Sequence, residues 1–202
     1  FWKDGMRRLR KNKIAMVSLV VILLIAFMAY VLPSFWPYSY EQQIKGSNNL
    51  APFEYSAAEQ KLIDQGENVF PHILGTDRMG RDFAVRVMMG TRVSLSVGLL
   101  ASVLVLLIGA TYGAISAFAG GWVDNIMMRI VDIIIALPSL LYTILLMMLM
   151  GSNVRSILIA LCLSSWVGTA RITRSQVVSL KHQEYALAAK LAGASNFQIL
   201  LR

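Results

Sequence analysis

The feature that most constrains this chain is where its charges are missing: there are none between Arg92 and Asp124, and none between Asp132 and Arg155. A helix in a soluble core rarely carries more than about 14 uninterrupted apolar residues, whereas crossing a bilayer takes roughly 20. Hydrophobic residues make up 56% of the 202 positions and charged residues 15%, where a soluble domain holds about 45–50% and about 25%. The mean hydropathy is +0.60. A water-soluble globular enzyme, a disordered chain and a secreted disulfide scaffold are excluded. Cys162 is the single cysteine, so neither a disulfide nor a cysteine metal site can form within the chain. The pattern reads as an all-α, polytopic transmembrane helical bundle.

The net charge of +8 could suggest nucleic acid, but its placement argues against that partner. Lys3, Arg7, Arg8, Arg10, Lys11 and Lys13 crowd into residues 1–13, directly before the apolar run Ile14–Leu32. This is the flank expected on the cytoplasmic side of a first span. That run is about 28 Å long as a helix, longer than the apolar part of a signal peptide, and no small-residue cleavage site follows it. Tyr30, Phe35, Trp36, Tyr38 and Tyr40 then suit an aromatic belt at the outer interface.

Residues 33–75 hold four of the five prolines and are mildly acidic, and the whole stretch 33–90 is expected outside the cytoplasm. Leu50, Phe53, Leu62, Ile63 and Val69 predict local helix and packing within it. A second span is expected over 93–119, where Gly109 and Gly113 form a small-xxx-small pattern that lets another helix approach. Gly120 and Gly121 mark a turn, followed by a short loop holding Asp124 and Arg129. A third span is expected over 130–150 with a kink at Pro138, and a fourth over 156–178, with Arg171 and Arg174 snorkelling to the cytoplasmic interface. Met147, Met148 and Met150 are best read as packing or lipid contact rather than as a ligand surface.

Candidate chemistry is sparse. An intramembrane hydrolase needs a nucleophile, a base and an oxyanion site within hydrogen-bond range. The two histidines, His72 and His182, lie outside the predicted spans, and Ser164 and Ser165 have no base near them. There is no metal cluster and no phosphate-cradling glycine loop. Asp132 is a carboxylate at the edge of the bilayer. It lies three residues after Arg129, so a local pair on one helix face is the expected arrangement.

Two segments are more specific. His72-Ile-Leu-Gly-Thr-Asp-Arg-Met-Gly-Arg-Asp82 packs charges and glycines just before a span, and reads as a glycine turn followed by a helix start capped by Thr76 or Asp77. Glu184-Tyr-Ala-Leu-Ala-Ala-Lys-Leu-Ala-Gly193 reads as a short alanine-rich helix with Gly193 at its C′ position. Ser195 or Asn196 could then cap another helix. Physical chemistry alone leaves open whether this low-relief element lies on the membrane or docks into a partner's groove.

The segment Ala188-Ala189-x-x-x-Gly193 resembles the cytoplasmic coupling loop of bacterial ABC-importer permeases. The strict glutamate position of that motif is Leu187 here, and the acidic residue is Glu184, as in the dipeptide/oligopeptide/nickel branch. Leu74-Gly75-Thr76-Asp77-x-x-Gly80-Arg81-Asp82 is similar to the C-type subunit of the same branch. So is the stretch with Asp124, Arg129, Asp132 and Pro138. The resemblance implies a binding-protein-dependent, MetI-like permease fold, with four spans present of an expected six and the transmembrane domain starting in 91–202. It implies a transmembrane subunit that takes up dipeptides or oligopeptides. The implied partners are a sister permease, two cytoplasmic ATPases, an extracytoplasmic substrate-binding protein and membrane lipid. Glu184, Tyr185, Ala188, Ala189 and Gly193 would contact an ATPase, within a coupling helix over 184–193. No catalysis and no cofactor are expected in the chain itself, because ATP and Mg would be held by the ATPases. The family pattern runs on past Gly193 to two further spans, so a chain truncated at its C-terminus is expected. The expected location is the bacterial plasma (inner) membrane with a cytoplasmic N-terminus. The alternative is a membrane anchor whose 33–75 segment binds a partner without any transport path.

Overall fold

The computed structural model of the chain describes residues 2–193. It divides into two compact units, residues 1–96 and 97–202. In order, the helices are α1 (Trp2–Lys11), α2 (Lys13–Tyr30), α3 (Ala57–Asp64), α4 (Phe83–Ala119), α5 (Gly121–Ala136), α6 (Ser139–Met150), α7 (Val154–Lys181) and α8 (Glu184–Leu191). Among the described residues the only β-type pairing is an isolated bridge between Thr76 and Asp82.

In the first unit, Asn12 separates α1 from α2: its extended backbone breaks the helix, and its side chain accepts from the Ala15 amide at 3.2 Å. This satisfies one orphan donor of the new helix. The body of α2 is apolar on every side, and only Ala29 is buried. A helix uniformly apolar around its circumference requires an apolar surrounding, which for exposed Ile22, Leu23 and Leu24 is lipid. Pro33 and a 3-10 turn at Leu32–Ser34 follow. Ser56 and Glu59 form a reciprocal capping box that starts α3. The chain at 44–53 runs beside 72–80 through main-chain bonds from Ile44 to Gly80, Asn49 to Asp77, Phe53 to His72 and Thr76 to Leu50.

The second unit is packed through small residues. A Cβ placed on Gly109 would lie 2.6 Å from Thr169 and 2.7 Å from the Trp166 carbonyl, and one on Gly113 would collide with the Ala170 carbonyl. The small-xxx-small pair is thus the surface on which α7 lies against α4. With lipid as apolar as a leucine side chain, close backbone contact rather than apolar burial holds such helices together. Tyr112 meets Trp166 edge-on at 4.8 Å and donates to the Met127 carbonyl at 2.9 Å. Asn153 caps α7, accepting from the Ser156 amide at 3.0 Å.

Several boundaries differ from the sequence expectation. The helix expected over 93–119 starts at Phe83, and its cap is Asp82, whose Oδ1 accepts from the Val85 amide at 2.9 Å. Thr76 and Asp77 do not cap it: Thr76 bonds the Leu50 amide and the Ser47 carbonyl, and Asp77 closes its own turn by accepting from the Met79 and Arg81 amides. Asp124 and Arg129 lie inside α5 rather than in a loop, because Gly120 at φ +63° and Gly121 at φ +53° complete the turn and α5 begins at once. Pro138 does more than kink a span. With Leu137 extended, it separates α5 from α6 at a bend of 80°, since proline has no amide to donate and disfavours helical geometry in the residue before it. Three helices, α2, α4 and α7, are each long and apolar enough to cross a membrane, or four spans result if α5 and α6 together form one.

Candidate functional site

The segment 72–82 is built from its glycines outward. Gly75, at φ +73°, lies so close to the Leu50 carbonyl that a Cβ would collide with it, and Gly80, at φ +70°, stands in the same relation to the Ile44 carbonyl. Two positive-φ positions each pressed against backbone leave room for glycine alone. The folded-back loop makes Asp77 a hub: its carboxylate pairs with Arg86 and Arg81. Burial by itself would raise the Asp77 pKa, but the Arg81 and Met79 amides and the Arg86 guanidinium outweigh it and hold the carboxyl below its usual range.

Behind this turn lies a cluster not foreseen from the sequence. His72, Asp82 and Glu59 are 0%, 1% and 4% exposed. Nδ1 of His72 is 2.8 Å from Asp82 Oδ2, and Nε2 is 2.9 Å from Glu59 Oε1. Tyr38 stacks on the imidazole at 4.5 Å, and Trp36 donates to Asp82 Oδ1 at 3.2 Å. Ser56 supplies its amide and hydroxyl to Glu59 Oε2. These are direct hydrogen bonds with no space for a metal between the partners, and no metal-binding group of three ligands occurs among the described residues. The only sequence signal was an isolated histidine whose partners are 10 and 13 residues away, outside any local rule. Beside the cluster, Pro33, Trp36, Tyr40, Met89 and Arg92 line an open cleft of about 410 Å³.

In the second unit the carboxylates of α5 reach across to α7. Asp124 accepts from Nε and Nη2 of Arg174 and from the Ser116 hydroxyl, and Asp132 pairs with Arg171. This corrects one expectation: Asp132 pairs with Arg171 rather than with Arg129, which is exposed. Arg171 and Arg174 both reach the carboxylates of α5, Arg171 while about half exposed. For the enclosed Asp124 the reason is energetic, since a charge buried among apolar helices costs several kcal/mol unless paired; the more exposed Asp132 meets Arg171, one helical turn from Arg174 on α7. Lys181 ends α7 with its ammonium beside the Ala117 and Phe118 carbonyls at the end of α4.

From there the chain turns at His182 and Gln183 into α8. Glu184 in its first turn and Lys190 in its last complement the helix dipole. Ala186 is buried, whereas Glu184, Ala188, Lys190 and Leu191 are exposed. Gly193 adopts φ +87° just past the helix, with nothing among the described residues within 4 Å of the position a Cβ would take. The side chains of Tyr185 and Ala189, and Ser195 and Asn196 altogether, lie outside the described residues. What remains is a short helix whose described exposed side chains are Glu184, Ala188, Lys190 and Leu191, joined to a long helix that is ion-paired to its neighbour.

Comparison with known proteins places these elements in one lineage. Residues 1–52 match the N-terminal transmembrane domain of oligopeptide transport permease C. Residues 106–202 match the inner membrane component of binding-protein-dependent transport systems. The chain belongs to that permease family, in its C-type branch. The oligopeptide transport system permease protein of Bacillus subtilis is 43% identical over 201 residues, covering 100% of this chain and 61% of that protein. The dipeptide permease of the same organism is 41% identical over 99% of this chain and 58% of its own length. A glutathione transport system permease of Pectobacterium atrosepticum is 30% identical over 100% and 62%. The chain therefore spans about three fifths of the length of these relatives. Members of this family are transport permease subunits of the membrane, and the nearly all-helical, multi-pass fold agrees with membership. The segment 53–105, which holds the His72 cluster, lies between the two matched models.

Proposed function

We propose that this chain is one of two membrane subunits of an ATP-driven importer for dipeptides or oligopeptides. The observation that carries the reading is its 43% and 41% identity, along essentially its whole length, to permeases named for oligopeptide and dipeptide transport. In this reading the basic residues of 1–13 face the cytoplasm, 33–82 face the outside, and α7 returns the chain to the cytoplasm, where α8 begins. The helix α8 seats in a groove of a cytoplasmic ATPase: Ala188, with Ala189 and Gly193, offers the low relief that close docking requires, and Glu184 and Tyr185 stand at its entry. ATP and Mg are held by the two ATPases, a sister permease completes the substrate path, and an extracytoplasmic binding protein delivers the peptide. Closure of the ATPases moves α8, and α7 carries that movement to α5 through the Asp124–Arg174 and Asp132–Arg171 pairs. Coupling of this kind requires two states that nucleotide and substrate favour differently.

The test is a pull-down of the full-length protein in mild detergent, with co-purifying chains identified. A second permease and two ATPases are expected. Recovery of the protein alone, under conditions that keep a related importer intact, would overturn the reading in favour of a membrane anchor.

A further inference from the structure

The hydrogen-bond inventory around His72 does not balance with a neutral ring. Glu59 Oε2 is occupied by the Ser56 amide and hydroxyl, and Asp82 Oδ1 by the Trp36 indole and the Val85 amide. The remaining oxygens, Glu59 Oε1 and Asp82 Oδ2, both face His72. A carboxylate only accepts, and a neutral imidazole has one N–H and one lone pair. One of the two contacts would then set a lone pair against a carboxylate at less than 3 Å, in a site with almost no access to water. An unmet buried contact of that kind is costly. The cluster therefore needs one more proton than three independent groups would carry at neutral pH.

We infer that His72 is held as an imidazolium, a captured proton that closes the Glu59–His72–Asp82 cluster and thereby latches the segment 33–82. The proton sits on the ring rather than on a carboxyl group because each carboxylate already accepts two donors on its other oxygen, which favours its ionised form. Burial by itself would raise the Glu59 pKa, but the Ser56 amide and hydroxyl and His72 itself hold it below the ordinary range. The groups that face the ring from each packed element are Glu59 from α3, Asp82 from the start of α4, and Tyr38 stacked from the stretch after α2. Tyr55 lies near enough to Tyr38 to act on its phenol. Tyr38 stays neutral well into the alkaline range, its pKa pushed up to about 12 by burial and then by Glu59 and Asp82, so the ring carries the only cation of the cluster. The three elements joined here are distant in sequence, and His72 touches all of them. When the proton leaves as pH rises, the cluster changes from one net negative charge to two and one hydrogen bond is lost. The stretch after α2, α3 and the start of α4 are then freed to part. The latch answers to the pH of the medium that bathes 33–82. That this medium is the extracytoplasmic one rests on the topology proposed above, whereas the protonation state does not.

The experiment is nitrogen NMR on the full-length protein in lipid bilayers, labelled with 15N in its histidine rings. The His72 signal is assigned by its loss in His72→Gln. If that variant does not insert, every other histidine, His182 included, is replaced instead. At pH 7, both His72 nitrogens are expected to be protonated. A signal from one unprotonated ring nitrogen at that pH would overturn the inference. A second readout tests the latch: Trp36 fluorescence in a background where Trp2, Trp122 and Trp166 are phenylalanine. Its emission is expected to shift toward that of a solvated indole over the same pH interval in which the ring loses its proton, below the range where Tyr38 ionises. An unchanged Trp36 signal across that interval would overturn the latch. Neither measurement depends on transport, so failure of the importer reading would be seen separately.

Discussion

At the level of single residues, glycines at positive φ are not equivalent. Gly75 and Gly46 share that conformation, but a Cβ on Gly75 would strike the Leu50 carbonyl, whereas Gly46 has open space around it. Gly75→Ala should therefore cost about 2–4 kcal/mol through backbone displacement added to conformational strain. Gly46→Ala should cost about 1 kcal/mol. Thermal unfolding of the two purified variants compares them directly, and equal losses would refute the crowding argument. Protonation gives a second residue-level prediction. Glu59 titrates lower in the folded protein than when unfolded, so its contribution to stability is present above the ordinary carboxylate range and is lost as pH falls through its folded value. Tyr38 moves the other way. Its contribution is fully present below its unfolded pKa, roughly 10, and is lost as pH rises through about 12. Denaturation midpoints against pH should lose the acid-side term in Glu59→Gln and the alkaline term in Tyr38→Phe.

Elements are coupled by charge where apolar burial is weak. Asp124 is almost wholly enclosed by Arg174 and Ser116, whereas the Asp132–Arg171 side chains are each nearly half exposed, at 46% and 47%. Breaking the enclosed pair with Arg174→Leu should destabilise the α5–α7 contact by about 3–5 kcal/mol, because it strands a carboxylate. Arg171→Leu should cost about 1 kcal/mol or less. Exchanging the charges, with Asp124→Arg and Arg174→Asp together, should recover part of the larger loss in a double-mutant cycle. Absence of any coupling energy would mean that the pair contributes nothing to holding α7. Helix proximity is equally testable: Gly113→Leu should prevent α4 and α7 from closing, seen as lost cross-linking between cysteines on the two helices. At the end of α7, the consequence for function is read at Gly193. None of the described residues comes within 4 Å of the position of its Cβ, so Gly193→Trp should leave insertion intact while abolishing uptake and substrate-stimulated ATP hydrolysis by the assembled complex. Unchanged uptake would remove α8 from the coupling role.

For the whole molecule the first question is sidedness. An impermeant thiol reagent applied to intact cells should label a cysteine at Gln60, in a background with Cys162→Ala, and should not label one at Arg10. The reverse result would invert the topology. Gln60 is suited to the experiment because it is exposed. Ser47, which sequence alone would offer as a loop position, is fully buried and would stay dark on either side of the membrane.

The sequence by itself determined that this chain is a multi-pass helical membrane protein, because uncharged runs longer than any soluble helix needs have one physical solution, and that solution is written locally. It also placed the close contact at Gly109 and Gly113, since the missing side chains are the contact. It placed the end of α8 as well, since a positive-φ glycine after a good helix-forming run is a local signal. The pairing of charges was decided only in three dimensions. Asp132 has Arg129 one turn away along its own helix, yet it pairs with Arg171, because the packing of α5 against α7 brings that arginine, one turn from Arg174, within reach. The same holds for His72, whose carboxylates come from α3 and from the start of α4. Its charge state follows from which donors those carboxylates already hold, and no spacing rule carries that information. The 80° turn at Pro138 is the intermediate case: proline ends the helix locally, but the angle at which α6 departs is not contained in that local signal.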